Sequence, residues 1–224
     1  MNTKKRLIDI LLFVLLLLLM LYSLTGQYIH EILGIFMFGC MIIHHFFNWK
    51  WYQGIFKHQH NTIQLCFVVT NVLLLVDIIF LILSGLMMSK YILPIQIMSS
   101  LARRIHLVCT HWGFILMSVH MGFHLQMFIH PIQKKLQESS LLKKKMIMLF
   151  LYMIAGYGFI VFIKNQWFAY MFLLVEFAYF NYSMGGIQLI CECLSIAILF
   201  MVLSYHFIKF LIPRNKTLKE KKYE

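Results

Sequence analysis

Six stretches of this sequence, at residues 7–25, 31–49, 63–88, 105–129, 146–163 and 187–212, are each about as long and as apolar as a membrane-crossing helix requires. Hydrocarbon offers a backbone no hydrogen-bond partners, so chain of this kind satisfies itself as helix. The composition agrees: 61% hydrophobic and 12% charged residues, with a mean hydropathy of +0.79, lie outside the range of a soluble domain of 224 residues. The expected fold is all-α, a polytopic membrane helical bundle of about six transmembrane helices. Residues 1–212 form one bundle and 213–224 a basic tail. Lys4, Lys5 and Arg6 ahead of the first run give it the look of a signal peptide, but no small-residue cleavage site follows Leu24, Thr25 and Gly26, so it reads as a retained helix.

Lysine and arginine set the orientation, because basic loops stay cytoplasmic. Six spans place both termini on one side, and that side carries sixteen of the twenty basic residues. The other side has Lys90, Arg103, Arg104 and Lys164. Both termini are therefore expected in the cytoplasm, with the chain in the cell membrane. The net charge of +12 is a topology signal that anionic lipid accounts for, and it does not point to nucleic acid.

Within this frame two histidine pairs share one spacing. His30 and His44 are 14 residues apart, as are His106 and His120. Fourteen residues make nearly four turns, roughly 21 Å of helix, so both members of a pair face nearly the same side. The second and fourth spans run in the same direction, which would set His30 opposite His106 near the outer face and His44 opposite His120 near the inner one. Two bis-histidine sites at two depths suit two non-covalent b-type haems, with these four side chains as axial ligands to iron.

Other histidines compete. His45 lies about 60° further round from His30 than a same-face partner would, and His124 is one turn beyond His120. His111 and His124 are turned about 140° from each other and form no equivalent pair. His58, His60 and His130 fall in or beside loops, and His206 in the last run has no assigned role. Haem also needs close backbone approach and partners for its propionates. Gly34, Gly39, Gly113 and Gly122 sit beside the four ligands, although glycines also serve ordinary helix packing. Arg103 and Arg104 stand on the side opposite most basic residues, just before His106, where outer propionates would account for them. Lys50, with Asn48, Trp49 and Trp51, follows His44 and could meet the inner propionates or anchor the helix.

Taken in order, Thr25-Gly26 through His30-Glu31, then Gly34, His44 and Asn48-Trp49-Lys50-Trp51 form a pattern. It continues with Ser84-Gly85, Arg104-Ile105-His106, His111-Trp112-Gly113 and His120-Met121-Gly122-Phe123-His124, and ends with Phe172 to Tyr182. This pattern resembles the flavinylation-associated cytochromes, small bacterial membrane proteins related in style to b-type cytochrome subunits. The resemblance covers about residues 5–212. It departs at Asn181 and Tyr182, where the family carries acidic residues. It implies a cytochrome b-like bundle that moves electrons across the membrane, from the quinone pool or a cytosolic-side donor to flavin-carrying proteins outside, alone or in an oligomer.

Only eight acids occur. Asp77 and Glu31, in or at the ends of apolar runs, are candidate proton acceptors in quinol oxidation; the competing reading is a carboxyl held by hydrogen bonds to its neighbours. Residues 164–186, rich in aromatics, are expected to form a helix lying at the outer interface and capping the outer haem. No C-x-x-C-H motif occurs, so covalent haem is not expected. Cys40, Cys66, Cys109, Cys191 and Cys193 all fall in the apolar runs. No glycine-rich phosphate loop is present. Two alternatives stand beside the cytochrome: a metal-ion transporter or metal reductase, which would place more acids beside its histidines, and an anchor subunit of a redox complex. Both would be colourless.

Overall fold

The structure, a computed structural model, describes residues 3–55, 61–93, 100–136, 141–175, 177 and 184–220, without the side chains of 125–136, 141–144 and 212–220. Its elements are all helical: α1 (Thr3–Met20), α2 (Tyr22–Phe47), α3 (Trp49–Ile55), α4 (Thr62–Met88), α5 (Ser100–Leu136), α6 (Leu141–Lys164), α7 (Trp167–Met171) and α8 (Gly186–Glu220). Each of the six apolar runs falls largely within a helix. Among the described residues four segments are long and apolar enough to cross a membrane: Tyr22–Phe47, Thr62–Met88, Lys145–Lys164 and Gly186–Leu211. The chain is an all-α membrane bundle. α1 and α5 are helical too, but Lys4, Lys5, Arg6 and Asp9 in α1, and two arginines and several histidines in α5, lower their apolar character.

The burial pattern is that of a protein dissolved in lipid. On α4, Thr70, Asp77 and Ser84 are buried at seven-residue spacing while Leu73, Val76, Ile79, Phe80 and Leu83 are exposed. Two turns of helix separate successive members of that stripe, so the polar side chains share one inward face. Water would reverse this arrangement; hydrocarbon requires it.

The packing divides the chain into two units: residues 1–59, 77–111 and 169–193, and residues 60–76, 112–168 and 194–224. In the first, Leu12, Leu15 and Leu16 of α1 and Met37, Cys40 and Met41 of α2 are buried at i, i+3, i+4 spacing, the periodicity of one helical face. Lys5 meets Asn48 and Asp9 meets His44, so the two helices run antiparallel. α2 is kinked at Gly26, whose φ of 69° is open to glycine and strained for other residues. Ser84 against His106 and Asp77 against Cys109 likewise set α4 antiparallel to α5.

In the second unit α8 supplies the buried face, with Ser195, Ile196, Ala197, Leu199, Ser204 and Ile208. A Cβ on Gly158 would lie 2.2 Å from the Ser195 carbonyl oxygen, and one on Gly122 would lie 1.9 Å from Ser204 Oγ. Both glycines let helices approach at backbone distance, a common device where lipid supplies no hydrophobic drive. Phe114, fully buried, stands edge-on to Trp167 with ring centres 5.3 Å apart.

The interfacial helix expected over 164–186 is corrected to the short α7. Gln166 and Leu173, both at φ 53°, bracket it and end the helical path on either side. Residues 176 and 178–183 lie outside the described residues.

Gly158→Ala should lower the thermal midpoint of the detergent-solubilised protein, an overpacking cost of about 1–3 kcal/mol. Gly156→Ala, where no atom lies within 4 Å of the added carbon, should leave the midpoint unchanged or raise it.

Candidate functional site

Three helices bring His30 and His106 together in the first unit. The ring centres are 6.2 Å apart, with planes inclined by 71°. Ser84 holds one side: its hydroxyl donates to the Phe80 carbonyl at 2.7 Å, which leaves its oxygen to accept from His106 Nδ1 at 3.2 Å. A histidine fixed through Nδ1 keeps a lone pair on Nε2. Gly85, next along α4, lies against the same ring, where a Cβ would stand 3.4 Å from His106 Cε1. On the other side Tyr22 stands edge-on to His30 at 5.2 Å, and the Leu19 carbonyl lies beside that imidazole. His30 Nδ1 is buried with no hydrogen-bond partner. A Cβ on Gly34 or Gly39 would meet nothing within 4 Å.

Directly after His30, Glu31 serves a different purpose. Its carboxylate accepts from Gln27 Nε2, Ser89 Oγ and the backbone N–H groups of Lys90, Tyr91 and Ile92, all within 2.9–3.2 Å. The turn that leaves α4 is thereby pinned to α2 beside the histidine pair. This hydrogen-bonded anchor occupies the group that sequence reasoning offers as a proton acceptor. Asp77 is placed otherwise. It is buried, bonded to the Cys109 thiol, and its Oδ2 has no partner. Cys109 stands one turn beyond His106 on α5.

A second polar cluster joins α1 to α2. His44 Nδ1 donates to Asp9 at 2.8 Å, and Lys5 reaches Asn48 Oδ1 at 3.2 Å. Asn48 Nδ2 lies 3.0 Å from the His44 carbonyl and 3.3 Å from His44 Nε2. His45, next in sequence, bonds Tyr52 through Nδ1 and has a buried, unpartnered Nε2. Burial pushes the Tyr52 phenol above its ordinary value, so it stays neutral. Lys50 is exposed on α3.

Sequence reasoning passed over Asp9 and Lys5. The sequence signal for them is faint: a single acid near the start of an apolar run, four residues after a lysine, asks for a partner but does not say where it lies.

In the second unit Asn71 Oδ1 accepts from His120 Nδ1 at 2.7 Å, and the His120 and His124 rings are 4.7 Å apart. Phe67 packs edge-on to His124 at 5.2 Å. Gly122 faces Ser204 and Met201 of α8, and Gly113 is half-buried on α5. Back in the first unit, His111 donates to the Leu107 carbonyl at 2.8 Å and stacks on Tyr170 at 4.9 Å. Arg103 and Arg104 are exposed three and two residues ahead of His106. The Arg103 guanidinium lies 5.6 Å from the Phe177 ring centre. His58, His60 and the side chain of His130 lie outside the described residues.

Comparison with family models, curated proteins and solved structures returns no match, so the site's own geometry carries its chemistry.

Glu31→Ala should free the amides of Lys90, Tyr91 and Ile92. Hydrogen exchange there should accelerate by about tenfold or more, since hydrogen bonds to a charged group contribute about 1.5–3 kcal/mol. Glu31→Gln, which keeps one acceptor oxygen, should fall between the two.

Proposed function

We propose that this protein is a diheme b-type cytochrome of the bacterial cytoplasmic membrane. In this proposal it carries electrons from quinol, or from a cytosolic-side donor, to an extracytoplasmic flavin-carrying protein. The carrying observation is the 6.2 Å between the His30 and His106 ring centres. Two imidazoles at that separation could both hold one metal ion lying between them. Supporting it are the Ser84 bond that orients His106, the buried orphan Nδ1 of His30, and the open space beside Gly34, one turn from His30. A buried polar atom without a partner in the chain favours a partner from outside it. When bound, haem supplies one-electron redox chemistry at its iron. The chain's part is to orient the imidazoles through Ser84, and to hold the α4 exit turn beside them through Glu31. Arg103 and Arg104 would offer charge to propionates.

The second ligand pair, His44 and His120, rests on the shared 14-residue spacing. Each has its Nδ1 bonded to an acceptor, Asp9 or Asn71, as ligand histidines commonly do. His45 competes for the α2 position: with Nδ1–H donated to the Tyr52 oxygen, its buried Nε2 keeps a lone pair. α1 and α5 complete six spans in this proposal. Lys5 and Asp9 are bonded to α2, and the histidines of α5 add polarity without fixed charge. The excess of basic residues on the side of the termini supports a cytoplasmic location for both.

The transporter or metal-reductase alternative asks for several ligands converging on one ion. Among the described residues no three His, Cys, Asp or Glu side chains form such a group, whereas a bis-histidine haem needs only two. An anchor subunit would leave the His30–His106 arrangement without a purpose.

The pyridine haemochrome assay on purified protein should give about two haem b per chain, with about one lost in His30→Ala, His106→Ala, His44→Ala and His120→Ala. Loss in His45→Ala with retention in His44→Ala would move that ligand one residue along α2. A colourless protein would overturn the proposal.

A further inference from the structure

His206 has no place in the proposed relay, yet its surroundings are unusual for a membrane helix. It is exposed on α8, and its Nε2 accepts from the Tyr152 hydroxyl of α6 at 2.9 Å. The two rings stack, with centres 5.8 Å apart and planes inclined by 25°. Around this pair the surface is hydrocarbon: Leu149, Phe150, Met153, Leu203, Phe207 and Phe210 are all exposed. Tyr152 also ends a row on one face of α6 with Lys145, Met148 and Leu149, open to the surroundings.

A hydrogen-bonded tyrosine and histidine facing lipid are costly unless they meet something polar. If Tyr152 donates to Nε2, the imidazole proton sits on Nδ1, and acyl chains cannot accept it. What fits is an amphipathic ring with oxygen acceptors on an apolar body. Depth agrees with such a ligand. Tyr152 lies two turns, roughly 10 Å, along α6 from Lys145, and His206 one turn from Lys209. The pair therefore sits just within the apolar zone, below the cationic ends of both helices, where a headgroup that is neither fully apolar nor charged would rest. A phospholipid phosphate would stay with the lysines.

We propose that Tyr152 and His206 form a binding site for the headgroup of a membrane quinone. In this site His206 Nδ1–H donates to a ring carbonyl and the Tyr152 oxygen accepts from the hydroxyl of the reduced form. The site deepens the quinol-linked reading of the function and rests on it for its biological sense, but its binding chemistry is independent of haem.

The test uses the full chain in quinone-free nanodiscs, titrated with decylubiquinone and with a short-chain naphthoquinone. One quinone should bind per chain. His206→Leu, on an exposed surface where folding is not at risk, should weaken binding of the oxidised ring about tenfold, the effect of one hydrogen bond lost in an apolar setting, and Tyr152→Phe should do the same to the reduced ring, titrated anaerobically as decylubiquinol. Tyr157→Phe, exposed on the same helix, should change nothing. Equal affinity in all variants, or no binding, would overturn the site, as would a change of oligomeric state in the variants without quinone binding, which would mark the face as a contact between copies. Haem spectra of the same samples separate the two proposals: quinone binding by a haem-free chain would retain this site and remove the cytochrome, and haem-loaded protein that ignores quinone would do the reverse.

Discussion

Hydrocarbon does not hydrogen-bond, and most of what this structure does follows from that. Apolar side chains gain little by hiding from lipid, so the buried faces carry small and polar residues, and each polar group must find its partner within the chain. The stripe of Thr70, Asp77 and Ser84 on α4 is the clearest result. Ser84 shows the economy of the arrangement: a single hydroxyl satisfies a carbonyl of its own helix and orients an imidazole on the next. Where such pairing is incomplete, as at His30 Nδ1, His45 Nε2 and Asp77 Oδ2, function is the natural place to look. All three lie on helices that also carry proposed ligands or their orienting groups.

The same constraint explains how rigid anchors arise beside the histidine pair. Glu31 would be expensive as a charge in lipid, but five donors enclose it. Its charge is thereby turned to structural use, holding the α4 exit turn against α2. The Lys5–Asn48 and Asp9–His44 bonds do similar work between α1 and α2. Proposed ligands held in this way lose little freedom on meeting a cofactor, which is the general advantage of preorganisation.

Much of the fold was legible in the sequence because apolar runs of about twenty residues admit little else. His30 and His106 come together, as two histidine-bearing apolar helices running in the same direction would bring them. What was less legible depended on contacts between helices. Gly122 was read beside a haem and lies against Ser204 and Met201; a glycine's role depends on its neighbour, which its own sequence does not name. The aromatic stretch after Lys164 looked helical by length and composition, but left-handed residues at Gln166 and Leu173 confine α7 to Trp167–Met171. Asp9 went unremarked because a single acid in a long apolar run is a weak signal until its partner, His44, is seen.

The central proposal is that His30 and His106 together would hold the iron of one haem. Electron paramagnetic resonance of the oxidised, purified protein tests it most directly, with the wild type compared against His106→Ala. The account predicts a low-spin ferric signal typical of two imidazole ligands, with one such component replaced by a high-spin signal or lost in the variant. An unchanged low-spin spectrum in His106→Ala, or no haem signal in the wild type, would contradict it.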